Sequence, residues 1–180
     1  WCSPKDTFEI HDEGLRRIQG IPEGNNVVFT SLWDNFPTSV EIPLKGKARK
    51  LHLLMAGTTN WMQCHIANGV VRINYADGTR DSLILENPVN WWPIEQELLQ
   101  GLPSYCLSSE NEDIQAPQRM SLRTGETYRP HAVNLNQKTD GGAANLIEVT
   151  LNPGKKLRSF TLETLSNDVV TGILKADLEK

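Results

Sequence analysis

No apolar run in this chain approaches the roughly 20 residues that a membrane-spanning helix needs, so the sequence contains no candidate span. Excess positive charge is also missing. Against 22 Asp and Glu stand 18 Lys and Arg, a formal net charge of −4, and no basic stripe runs along the chain. Such a balance excludes the electrostatic footprint of a nucleic-acid-binding domain or of a protein that seeks an anionic membrane surface. Cysteine is scarce and odd in number, at Cys2, Cys64 and Cys106. One bridge is possible, but a paired framework of the small secreted kind is not, and the expectation is that bridges do not hold the fold. No secretory leader is legible, and a chain opening on Trp1 reads as processed or excised from a larger protein. There is no internal repeat and no low-complexity segment. The compact catalytic signatures are absent as well: no Gly-x-Ser-x-Gly elbow, no Gly-rich phosphate loop and no Cys-x-x-Cys pair.

What remains is an ordinary globular composition, 38% hydrophobic and 22% charged over 180 residues, read as one domain spanning 1–180 with a full-sized core. Its clearest stretch runs from Ala48 to Trp92. Leu51, Leu53 and Met55 mark a strand over 50–56. Val71, Ile73 and Tyr75 alternate with Arg72 and Asn74, and Asp77-Gly78 leads into a second alternating run, 79–85. Two alternating runs joined by Asp-Gly predict a β-hairpin with a type I′ turn.

The same reading extends along the chain. A leading strand at Thr7–His11 and a turn of helix at Gly14–Ile18 are expected first, then a strand at Val27–Thr30. Ser39–Leu44 alternates, but Pro43 cannot donate to a ladder, which assigns that strand to an edge. Met62–Ile66 can be read as strand or loop. From Glu86 to Pro130 strand rhythm lapses, so a long irregular insertion around 87–130 is expected, with a short helix at Ile94–Leu99 and a strand at Arg119–Leu122. Strands return at His131–Leu135 and Leu146–Leu151, followed by a closing pair, Leu157–Leu165 and Val169–Leu178. Eight to ten short, regularly punctuated strands with almost no helix indicate an all-β sandwich or jelly roll.

The run from Ala48 to Leu54, the phrase Tyr75-Ala76-Asp77-Gly78-Thr79 and the pair Trp91-Trp92 resemble galactose-binding-like jelly-roll domains. Domains of that kind are attached to secreted glycoside hydrolases of Bacteroidetes, in uncharacterised families of polysaccharide utilisation. The last forty residues fit their closing strands, whereas the stretch between is unmatched. The resemblance implies a secreted, periplasmic or cell-surface location. It also implies a non-catalytic carbohydrate-binding or accessory module, whose partner is an oligo- or polysaccharide or a neighbouring catalytic domain.

Candidate site residues follow from chemistry. Sugar rings stack their C–H faces on exposed indoles while amides and charged groups satisfy the hydroxyls. The expected ligand-binding set is therefore Trp33, Asn60, Trp61, Gln63, Trp91 and Trp92, although burial as structural plugs is the weightier reading of the Trp91-Trp92 pair. A glycosidase would need two carboxylates flanking the scissile bond. Glu95, Glu97, Glu110 and Asp113 are the candidates for that alternative, and scattered solvated acids are the simpler reading, so no catalytic set is assigned. Cys64 and His65 with His52 could be imagined on a metal, but adjacent strand residues face opposite ways. A buried free thiol at Cys64 is expected instead, with no metal and no cofactor.

Overall fold

The computed structural model describes residues 27–59, 61–97, 117–130 and 137–180. The strands expected at Thr7–His11 and His131–Leu135 and the helical turn at Gly14–Ile18 lie outside these. Within them the chain forms two antiparallel sheets packed face to face. One has six strands in the order β1 (Val28–Ser31), β12 (Val170–Glu179), β3 (Lys50–Thr58), β10 (Ala143–Thr150), β7 (Arg119–Ser121) and β8 (Thr127–Tyr128). The other has four, in the order β2 (Ser39–Pro43), β11 (Leu157–Thr164), β4 (Ala67–Tyr75) and β5 (Arg80–Glu86). A small ribbon pairs β6 (Gln96–Glu97) with β9 (Gln137–Lys138). The fold is an all-β sandwich.

Strand alternation builds the core directly, since every second side chain faces the opposite sheet. Leu51, Leu53 and Met55 of β3 meet Val71 and Ile73 of β4 and Phe160 and Leu162 of β11. β3 is covered on its other face too, where Leu54 and Ala56 pack with Met120 and Ala144. That double burial explains the unbroken apolar run Leu53-Leu54-Met55-Ala56. Pro43 sits on an edge strand, as a residue without an N–H requires.

Several expectations need correction. The hairpin turn is not type I′. Tyr75 pairs with Thr79 across a three-residue loop, with Tyr75 N–H donating to Thr79 O at 3.0 Å and Gly78 N–H to Tyr75 O at 3.1 Å. Gly78 has φ +84° while Asp77 is not among the positive-φ residues, the pattern of a type I turn closed by a glycine bulge. Parity is the cause. The inward residues 71, 73, 75, 83 and 85 are all odd-numbered, and a two-residue loop at 77–78 would pair odd with even, turning one strand's apolar set outward. The three-residue loop instead sets Val71 opposite Leu83.

Leu157–Thr164 and Val170–Glu179 are not a paired hairpin, because they lie in opposite sheets and the five residues between them cross the sandwich. Ile94–Leu99 is not helical where it is described: Ile94 N–H donates to Gly57 O, Ala143 N–H to Ile94 O, and Gln96–Glu97 is strand β6. Within the stretch around 87–130 the strand expected at Arg119–Leu122 is β7, and β8 beside it is a further member of the six-stranded sheet that the sequence did not indicate. Met62–Ile66 is not a strand. Trp61–Gln63 is a 3-10 turn, and His65 has φ +54°.

Candidate functional site

The strand directions sort the loops into two groups. At one end, β1 leads to β2, β3 to β4 and β11 to β12, and β5 leads out toward Trp91-Trp92. At the opposite end lie the β4–β5 turn and the β10–β11 connection.

The first end holds every tryptophan proposed from sequence, but in different environments. Trp33, in the β1–β2 loop, is 50% exposed and tilts against Phe36 with ring centroids 6.4 Å apart. Asn60 and the Trp61 side chain lie outside the described residues. Gln63 is half-buried, and its carbonyl accepts a 2.7 Å bond from the buried amide of Asn68, which also donates to Ile66 O at 3.0 Å. Trp91 and Trp92 are fully enclosed. Trp91 is part of the core between the sheets. Trp92 donates its indole N–H to Pro88 O at 2.6 Å, and its ring lies 5.6 Å below the guanidinium of the buried Arg119. Neither of the pair offers a ring face to a ligand. An extended segment alternates sides, so both neighbours can be buried only where both sides are covered, and here they are.

Six of the exposed large hydrophobic residues lie in the loops of this end: Leu32, Trp33, Met62, Ile66, Val89 and Leu165. Cys64 is at the same end and is disulfide-bonded, its partner lying outside the described residues. The free thiol expected there is thus corrected, since one bridge is compatible with three cysteines. A bridged sulfur cannot serve as a thiolate ligand. His52, near the start of β3 and so toward the opposite end of the sandwich, bonds to Glu179 at 3.0 Å.

Of the acids named for a glycosidase, Glu95 alone has a described side chain. Glu95 is exposed beside the β6–β9 ribbon, while Glu110 and Asp113 lie outside the described residues. Asp77 is committed to its turn, accepting from Thr79 N–H at 2.9 Å and from Thr79 Oγ1 at 2.6 Å. Those bonds, the hydroxyl first, with the ammonium of Lys155, hold its carboxyl below the usual carboxylate range. Asp81 accepts from the Tyr75 hydroxyl at 2.6 Å.

A second site was not found from sequence. The outward face of the four-stranded sheet, toward the β4–β5 turn, carries a cleft of about 260 Å³. Arg72 and Asn74 of β4 form its floor with Thr161 of β11, Glu41 of β2 stands on one side, and Thr79, Arg80 and Arg158 stand at the turn. Asn74 Nδ2 donates to Ser159 Oγ at 3.0 Å and to Thr161 Oγ1 at 3.1 Å. Ser159 Oγ in turn donates to Glu41, and Arg72 pairs with Glu163. These bonds hold the floor in a fixed hydrogen-bonding pattern, so the cleft presents a mainly polar set of donors and acceptors. Alternation of Arg72 and Asn74 with the core residues was the visible signal. It reads as a solvated face until β2 and β11 are known to lie beside it.

No helix among the described residues is long and apolar enough to cross a membrane. No family model, no curated protein and no solved structure matches this chain. The class that fold and site define is an antiparallel β-sandwich with a polar cleft on one open sheet face and an apolar loop end.

Proposed function

We propose that this chain is a non-catalytic carbohydrate-binding module of a secreted carbohydrate-active protein, built on a galactose-binding-like jelly-roll version of the sandwich. The observation that carries the reading is the cleft over Arg72, Asn74 and Thr161, whose side-chain donors and acceptors suit sugar hydroxyls. At about 260 Å³ it is just below the roughly 300–1,000 Å³ of pockets for drug-sized ligands, a scale suited to a single sugar unit on an open chain. The disulfide at Cys64 supports a secreted, periplasmic or cell-surface location, because such bonds persist in oxidising compartments. Affinity electrophoresis against soluble polysaccharides tests the proposal. At least one glycan should retard the protein, and Asn74→Ala with Thr161→Ala should abolish the retardation while Trp33→Ala leaves it. Unchanged mobility in every polysaccharide would sink the reading.

The apolar loop end favours a second reading, a structural domain that packs against a neighbouring catalytic domain. Exposed apolar side chains gathered in one place mark contact surfaces, and six are gathered here. Under this reading Trp33→Asp with Val89→Asp abolishes co-purification with the adjoining domain of the parent polypeptide, whereas Arg80→Gln does not. Equal co-purification of both variants would rule it out.

A further inference from the structure

The charges around the cleft narrow the kind of sugar. Arg72 is offset by Glu163. Arg80 and Arg158 are exposed at the rim and have no ion pair among the described residues. Glu41 is the carboxylate of the lining, and the Ser159 hydroxyl already donates to it. In a chain of net charge −4 this is therefore a local surplus of positive charge, placed over neutral hydrogen-bonding groups. Guanidinium groups present planar forks of donors that match the paired oxygens of a carboxylate or sulfate. Asn74 supplies the complementary element: both its bonds to the protein use Nδ2, which leaves Oδ1 to accept from a ligand hydroxyl.

We propose that the cleft takes an acidic sugar residue, one bearing a carboxylate or a sulfate ester, with Arg80 and Arg158 holding the oxyanion and Asn74 and Thr161 holding the ring hydroxyls. The inference rests on the carbohydrate-binding reading and deepens it. Steering by the net positive charge that Arg80 and Arg158 leave over Glu41 also makes the binding sensitive to ionic strength.

Calorimetry on the folded chain with three probes of equal length tests this: a hexuronate oligomer, a sulfated hexose oligomer and a neutral hexose oligomer. The expected result is binding of the hexuronate or the sulfated probe, weakened by added salt. Arg158→Gln and Arg80→Gln should each lower that affinity by about tenfold or more, the scale of a charge-assisted hydrogen bond. Both side chains are exposed, and circular dichroism checks that the variants fold. Binding of the neutral probe alone overturns the acidic inference and leaves the carbohydrate reading standing, whereas binding of none overturns both. Acidic binding untouched by either substitution removes it from this cleft.

Discussion

The hydroxyl of Tyr75 donates to Asp81 at 2.6 Å and accepts from the backbone N–H of Asn152 at 2.9 Å, tying the hairpin to the β10–β11 connection. Tyr75 is buried, with the ammonium of Lys155 lying 5.3 Å over its ring. Burial first, and the bond to Asp81 second, raise its pKa above the ordinary tyrosine value. A raised value in the folded state stabilises fully below about pH 10, the unfolded value, and that contribution is lost as pH rises through the folded value. Tyr75→Phe should cost about 1–2 kcal/mol by urea denaturation at neutral pH, since it removes the bonds to Asp81 and to the Asn152 N–H. It should also flatten part of the alkaline decline. A variant as stable as the parent would show that water replaces both bonds.

Asp77 titrates in the opposite sense. Its depressed carboxyl stabilises the turn above about pH 4, the ordinary aspartate value, and the effect disappears as pH falls through the lower folded value. Thr79→Val deletes the hydroxyl that contributes most, so carbon-detected NMR titration should show the Asp77 carboxyl rising toward the ordinary range. An unmoved titration midpoint would assign the depression to Lys155 and the backbone N–H instead.

The hairpin, the edge position of Pro43 and the core face of β3 were legible because period-2 alternation and turn chemistry are local signals. Parity, too, was present in the sequence. Residues 71, 73, 75, 83 and 85 demand an odd loop, and the familiar Asp-Gly pairing obscured that requirement. Other features are non-local. Nothing around Ser166-Asn167-Asp168 distinguishes a hairpin from a crossing between sheets, and nothing in Arg119 announces that it will be buried over Trp92. The cleft needs three strands side by side, β2, β11 and β4, from separate parts of the chain. Alternation in one of them shows only that a face is polar. The loop tryptophans are conspicuous in sequence whether they are exposed, like Trp33, or enclosed, like Trp91, so composition alone does not separate a ring open to solvent from one in the core.

Three buried threonines close a ring across the two sheets: Thr30 to Thr164 at 2.7 Å, Thr30 to Thr171 at 2.7 Å and Thr164 to Thr171 at 2.8 Å. Each hydroxyl can donate to one neighbour and accept from the other, so no member is left with an unmet donor. Replacing one by Val leaves the other two incompletely paired, at a cost of about 1–3 kcal/mol. The triple Thr→Val variant removes all three polar groups at nearly constant shape, so its loss should be smaller than the sum of the singles. Strict additivity in chemical denaturation would mean that the ring is not a cooperative unit.

Gly57 is required for a different reason. A Cβ there would come within 1.9 Å of Val170 O and 3.0 Å of the Trp91 ring. Gly57→Ala must therefore separate β3 from β12 or displace a core indole, a cost of about 1–3 kcal/mol or more. Lowered stability should be accompanied by a red-shifted tryptophan emission as Trp91 gains water. A stable variant with unshifted emission would place the slack elsewhere, in the β3–β12 ladder.

The disulfide at Cys64 makes the last prediction, and it bears on both stability and compartment. With three cysteines in the chain and two in the bridge, one thiol is left, and alkylation without reductant should label a single site. Peptide mapping without reduction should recover Cys64 joined to Cys2 or to Cys106. The bridge restrains the β3–β4 loop, which is also tied by the Asn68 bonds to Gln63 and Ile66 and by the His65 N–H to Asn87 O at 2.8 Å. Cys64→Ser should lower unfolding stability by about 2–4 kcal/mol, chiefly by releasing the unfolded chain. The same loss should follow when the parent protein is treated with reductant, and reduction should not change Cys64→Ser any further. Three alkylated thiols in protein recovered from an oxidising compartment would remove the bridge, and with it the compartment argument for a secreted module.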